Sequence, residues 1–159
     1  MIKMIKATIA IFFMISMFAL TACVTGSADV PDNQAATPGE FLQIPLSDIT
    51  RTAAFFPVAI DGVSMEVVAV KASDDTIRVA FNTCEVCHAS GRGYYVQDGD
   101  DVICQQCQMR FAIDSIGLEP GGCQPIAISE QDIDRIADYL QISYDLLAEN
   151  QHWFLNWRN

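Results

Sequence analysis

Ile77-Arg78-Val79-Ala80-Phe81-Asn82-Thr83-Cys84-Glu85-Val86-Cys87-His88 decides the fold, because a strand-like segment runs straight into a CxxC turn. Ile77, Val79 and Phe81 alternate on one face after the turn residues Ser73-Asp74-Asp75, which is the period of a pleated strand. The same build returns at Asp101-Val102-Ile103-Cys104-Gln105-Gln106-Cys107, after a short Tyr94-Tyr95-Val96 strand and the turn Gln97-Asp98-Gly99-Asp100. Sixteen residues separate the two CxxC pairs, and Gly91 and Gly93 bracket Arg92 between them. Strand, knuckle, hairpin, strand, knuckle is the build of zinc-ribbon-like and rubredoxin-like sites. In such sites a stiff hairpin places four sulfurs before a metal arrives.

Working outward, Ala54–Ile60 and Val63–Lys71 flank Asp61-Gly62, a turn dipeptide that predicts a hairpin. Beyond the cysteines, Ser129-Glu130-Gln131-Asp132 resembles an N-capping segment, and Ile133, Ile136, Ala137 and Leu140 follow a helical period. A second helix is expected from Tyr144 to about Trp153. The fold class is α+β: a small, mostly antiparallel β domain with cysteine knuckles and C-terminal helices. The expected organisation is a leader (1–23), a flexible linker (24–40), a β-rich cysteine domain (41–128) and a helical segment (129–159).

The leader is not fold. Lys3 and Lys6 precede an apolar run from Ala7 to Leu20, and Leu20-Thr21-Ala22-Cys23 resembles the lipobox of bacterial lipoproteins. The run is short for a durable membrane span of roughly 20 residues. The pattern therefore predicts cleavage and lipidation at Cys23, placing the chain on the cell membrane and facing the periplasm or the cell exterior. The linker is rich in Gly, Ser, Ala, Asp, Pro and Asn without an apolar period. Loss of Lys3 and Lys6 leaves twenty acidic residues against seven basic ones, a field that repels nucleic acid and favours cations or a cationic partner.

Cys84, Cys87, Cys104 and Cys107 are the candidate metal ligands. Four thiolates suit zinc or an iron–sulfur centre, and spacing alone does not separate the two. Copper(I) also takes thiolates, but only Met65 and Met109 follow the leader, so a thioether-rich copper signature is missing. Two CxxC disulfides, or a redox-active one, are the alternatives in an exported chain, although five core cysteines cannot all pair internally. His88 completes a CxxCH that also fits covalent c-type haem, a reading that leaves three cysteines without a role. Otherwise His88 is a ligand, a donor behind the ligands or a solvent-facing residue. Cys123 follows Gly121-Gly122, whose freedom at positive φ allows close approach, so it is a further candidate ligand or a small buried residue. Arg92 and Arg110 lie near the knuckles, where a guanidinium could offset thiolate charge; His152 beside Trp153 reads as a packing residue. No nucleophile triad, phosphate loop or carboxylate pair argues for hydrolysis.

Ordered blocks from Asp61 to Ile126 resemble a bacterial and archaeal family, the FtrD-like membrane iron–sulfur containing proteins. They are Asp61-Gly62-Val63, Ile77-Arg78-Val79-Ala80-Phe81, Cys84-x-x-Cys87, Gly91-x-Gly93-Tyr94, Gln97-x-Gly99-Asp100, Ile103-Cys104-x-x-Cys107-x-Met109-Arg110-Phe111 and Gly121-Gly122-Cys123-x-Pro125. The resemblance implies a membrane-associated, extracytoplasmic redox or metal module linked to iron uptake, exchanging electrons with a permease. It implies Cys84, Cys87, Cys104, Cys107 and Cys123 as its site. A chain exported unfolded carries no assembled cluster, and Lys3 and Lys6 make no twin-arginine signal, so zinc, copper or haem acquired outside stays open beside iron–sulfur. The leading reading is a lipid-anchored metal-binding protein in electron or metal transfer. A structural zinc site that serves docking, a c-type haem protein and a CxxC thiol–disulfide oxidoreductase are the alternatives.

Overall fold

The computed structural model describes residues 34–36, 39–118 and 121–159. The leader, Cys23 and most of the linker lie outside the described residues. In chain order the elements are β1 (Gln34–Ala36), β2 (Phe41–Pro45), β3 (Ala54–Ile60), β4 (Val63–Lys71), β5 (Ile77–Cys84), β6 (Tyr95–Asp98), β7 (Asp101–Cys104), β8 (Arg110–Ala112), β9 (Pro125–Ala127), β10 (Ile133–Ile136), β11 (Tyr139–Ser143) and α1 (Tyr144–Asn150). A 3-10 turn, Gln151–Phe154, follows the helix.

Three sheets result, in the strand orders β1-β3-β4-β5-β9, β10-β11-β2 and β6-β7-β8. All neighbouring strands are antiparallel except β1 beside β3, so the expected antiparallel α+β class holds. The β3–β4 hairpin turns on Asp61 and Gly62 at φ 48° and 82°, the left-handed pair that a tight hairpin requires. Gln34–Ala36 adds an edge strand within the segment whose composition suggested only a tether.

Strand β4 is covered on both faces. Met65, Val67 and Ala69 face one core with Val79, Phe81, Leu42, Ile44, Ile142, Leu147 and Phe154. Val68 and Val70 face a second core with Ala80, Tyr95, Val102, Ile116 and three of the cysteines. Two-sided burial explains why Val63–Lys71 reads as a nearly continuous apolar run instead of alternating.

The region 133–140 is not helical. β10 and β11 form a hairpin around Ala137, at φ 51°, and β11 then pairs with β2 from the start of the domain. Apolar residues at 133, 136, 137 and 140 match a helical stripe, but pairing with β2 selects strand, because Leu140 and Ile142 then both enter the first core. Ser129 does cap, accepting the Gln131 N–H at 3.3 Å, but only for the short 3-10 turn Glu130–Asp132. The expected terminal helix is present as α1, where Ser143 Oγ accepts the Leu146 N–H at 3.3 Å and Leu147 is buried.

A buried polar network ties the first sheet to the third and to the C-terminal tail. Asn82, fully buried, donates to Glu66 Oε1 at 2.7 Å and to the Tyr95 carbonyl at 3.2 Å, and accepts the Tyr95 N–H at 2.8 Å. Its own carbonyl accepts the Trp157 indole N–H at 2.9 Å. Arg158 reaches back to Glu66 at 2.9 Å, stacks over Tyr94 and Trp157, and gives its backbone N–H to the Gly91 carbonyl. Removing the amide unpairs both Tyr95 backbone groups and leaves Glu66 to Arg158 alone, so Asn82→Ala is expected to lower unfolding free energy by about 2–4 kcal/mol. Arg158→Ala, at a half-exposed guanidinium, is expected to cost nearer about 1 kcal/mol. Urea midpoints of the two variants check the order.

Candidate metal centre

Each CxxC begins on the last residue of a strand. Cys84 ends β5 and Cys104 ends β7, while Cys87 and Cys107 sit in the turns that follow. The first turn is closed by the Cys87 N–H pointing at Cys84 Sγ at 3.3 Å, and by the Ser90 N–H on the Cys87 carbonyl at 3.0 Å. The second is closed by the Gln108 N–H on the Cys104 carbonyl at 2.9 Å and the Cys104 N–H on the Met109 carbonyl at 3.0 Å. Gly93 lies so close beneath the first knuckle that a Cβ there would stand 2.6 Å from the Cys87 carbonyl carbon. Only glycine fits.

Cys123 arrives on a third segment. β9 pairs with β5 so that Pro125 lies opposite Cys84, after a register shift, and this carries Cys123 to the knuckles. Gly121 and Gly122 take φ 84° and 79°, the left-handed conformation expected of them. Tyr95, paired with Cys104 across β6 and β7, donates its hydroxyl to the Cys123 carbonyl. One buried ring thus joins the second knuckle to the third segment.

The five sulfurs fall into two groups. Those of Cys84, Cys87 and Cys104 lie within 4.8 Å of one another, and so do those of Cys87, Cys107 and Cys123. All five cysteines are free thiols. Cys84 and Cys104 are fully buried and Cys87 nearly so, whereas Cys107 is exposed and Cys123 half-buried.

Burial pushes the Cys87 thiol far above its ordinary range, and the Cys84 and Cys107 sulfurs add to the shift. Burial likewise raises Cys104, and pushes Cys123 up to about 11 with help from the Cys84 charge. Cys107 goes the other way. Desolvation opposes its ionisation, but hydrogen bonds from the Met109 backbone and from Cys104, Cys87 and Cys123 outweigh that and lower it. Burial also holds the Tyr95 hydroxyl protonated, as its donor role requires. The pattern is of crowded, mostly protonated sulfurs at which a bound cation would have to displace protons.

His88 stands outside both sulfur groups. Its Nδ1 meets the Glu85 carbonyl at 2.7 Å and its ring packs edge-on against Trp153 at 4.8 Å. His152 packs on the same indole at 4.4 Å. Arg92 donates to the Gln105 carbonyl at 3.1 Å, bridging the two knuckles through backbone, while Arg110 is occupied by Asp98 and Asp101 at 2.9 and 3.0 Å. Two supports carry no site signal in the sequence: Asn82, the lone amide in a run of mostly apolar strand residues, and Tyr95, which the sequence places only in a short strand. For Asn82 the one hint is a polar residue two positions before a cysteine in a strand buried on both faces.

An all-sulfur donor set with a backbone N–H aimed at one sulfur fits an iron–sulfur or thiolate-bound metal group. Among the described residues no helix is long and apolar enough to cross a membrane. A family model described as membrane iron–sulfur containing protein FtrD-like matches residues 49–154, more than half of the chain, and includes all five of these cysteines. No curated protein matches the chain. Among solved structures it is similar to a quaternary ammonium Rieske monooxygenase, CntA, in an inhibitor complex and in the apo form. Identity is 14% and the TM-score 0.44 for both, covering 67% of this chain and 32% and 33% of those chains. The chain thus spans about a third of the length of those enzymes. With the match running over residues 49–154 and taking in all five gathered cysteines, the chain belongs to the FtrD-like family of membrane iron–sulfur containing proteins.

Proposed function

We propose that this chain is a membrane-tethered, extracytoplasmic module that holds an iron–sulfur or thiolate-bound metal centre and passes electrons or metal to a permease during iron uptake. The observation that carries the reading is the convergence of five thiols from three chain segments into two groups, each within 4.8 Å, in a member of an iron–sulfur family. Thiolates this close repel one another strongly unless a cation lies between them. Cys84, Cys87, Cys104, Cys107 and Cys123 hold the centre. The lipid on Cys23 and the linker keep the domain at the membrane surface, and the remaining chain, with twenty acidic residues against seven basic ones, suits a cationic partner face.

When bound, an iron–sulfur group supplies reversible one-electron chemistry; zinc in its place supplies structure alone. The chain's own residues define the setting. The Cys87 N–H stabilises negative charge on Cys84 Sγ, Tyr95 fixes the segment that carries Cys123, and the second core keeps water from the inner sulfurs. Exposed Cys107, with Val86 and Met109 exposed on the two knuckles, brings the opposite edge to the surface, where a partner can approach.

The full chain isolated from membranes of iron-replete cells is expected to carry iron with acid-labile sulfide and visible absorption. Cys84→Ser should lose both, while Cys23→Ala should release the loaded protein from the membrane. Colourless protein without bound metal, in all preparations, would remove the proposal.

Metal loading must also expel protons from the raised thiols, so apparent affinity is expected to climb with pH through the neutral range. The metal-free fold responds oppositely at high pH. Cys123 has a folded value of about 11 against 9.0 unfolded, so its stabilising share is whole below pH 9 and is lost as pH rises through about 11. Buried Cys87 and Cys104 have the same sign. Thermal melts of metal-free and loaded protein between pH 7 and pH 11, on the order of these thiol values, should therefore diverge most at the alkaline end.

A further inference from the structure

Cys87 belongs to both sulfur groups, and the two groups are unlike. The inner one, Cys84, Cys87 and Cys104, is buried and takes two of its members from strand ends. The outer one, Cys87, Cys107 and Cys123, opens to solvent and is carried on turns, with the Gly121-Gly122 pair leading into Cys123. A single tetrahedral zinc, with Zn–S near 2.3 Å, needs four sulfurs mutually about 3.8 Å apart. Among the described residues no four of the sulfurs lie mutually within 4.8 Å; they group as three and three about Cys87, with Cys104 also meeting Cys107 and Cys84 meeting Cys123 where the groups adjoin.

We propose that the site has two metal positions hinged on Cys87: a closed inner one, and an open outer one that takes a second soft or borderline cation through Cys107 and Cys123. Cys87 Sγ bridges them. A thiolate sulfur keeps lone pairs after binding one metal, so it can bind another without a new ligand. Charge balance points the same way. Five thiolates around one divalent cation leave three uncompensated negative charges in a partly dry site; around two they leave one. Three protein sulfurs at an accessible position also leave room for a further ligand from solvent or a partner, the arrangement that permits exchange. The inner position, enclosed by Val68, Val70, Ala80, Tyr95, Val102 and Ile116, does not offer that access.

This rests on the reading of the cysteines as metal ligands, and the test separates the two ideas. The reduced, metal-free full chain is titrated anaerobically with cadmium-113, following sulfur-to-metal absorption and NMR. Two equivalents are expected, with two cadmium resonances split by mutual coupling through the shared sulfur. A competing chelator should remove one equivalent quickly and the other slowly, and Cys123→Ser should lose one equivalent and the coupling. Saturation at one equivalent overturns the two-position site while sparing the metal-binding reading. Two uncoupled resonances overturn the Cys87 bridge, and no uptake overturns both. The wild-type titration decides even if the variant does not fold.

Discussion

A primary amide with no water around it must find partners inside the protein; the Asn82 amide finds them on two other strands, and its backbone carbonyl adds the C-terminal tail. Its side chain satisfies Glu66 on β4 and both backbone groups of Tyr95 on β6, and its carbonyl receives the indole of Trp157. The first sheet, the third sheet and the C-terminal tail are therefore fixed relative to one another at a point two residues before Cys84. Since Tyr95 also lies opposite Cys104 and bonds to the Cys123 carbonyl, the same fixation sets the distances among all three cysteine-bearing segments. Packing alone would bring the sheets together but would not fix their register so narrowly.

The sulfurs impose a cost that this scaffold must bear. Holding five thiols close, three of them nearly dry, raises the proton affinities of Cys87, Cys104 and Cys123 and lowers that of Cys107. In the metal-free fold protons neutralise the cluster, and a bound cation would take their place. Glu66 adds another buried acid to that side of the sheet. Arg158 and the Asn82 amide compensate it at 2.9 and 2.7 Å, so the negative charge of the core is matched outside the sulfur cluster as well.

Legibility in the sequence followed range. The β3–β4 hairpin, the two strand-to-knuckle passages and the Gly121-Gly122 approach were readable, because each is decided by residues within a few positions of one another. The spacing of the two CxxC pairs already brings Cys84 and Cys104 to one site, whereas Cys123 beside them is only one of two readings of Gly121-Gly122-Cys123, since β9 meets β5 across about forty residues of chain. The sequence of the β10–β11 hairpin predicts helix for the same reason. Its apolar spacing satisfies a 3.6-residue period locally, and the deciding partner, β2, lies almost a hundred residues earlier. Asn82, Tyr95 and Arg158 were passed over because a buried network has no period. Its members are recognisable only once the strands that carry them are neighbours.

Fold and exchange make opposite demands on a thiolate site, and the gradient of burial across these five cysteines divides them. Cys84 and Cys104 end strands of two different sheets, so whatever neutralises them also fastens those sheets together, and loosening there would open the second core. Cys107 and Cys123 lie on turns, where movement strains no ladder of hydrogen bonds. Cys87 is common to both and nearly buried, so a change of occupancy at the outer sulfurs reaches the inner ones through a shared atom rather than through a shift of strands. The C-terminal tail limits that change further. Asn156 bonds to the Ala89 carbonyl and Arg158 to that of Gly91, both just after the first knuckle, so Cys87 stays in place while the outer side opens. A site arranged in this way can exchange at one edge without unfolding at the other.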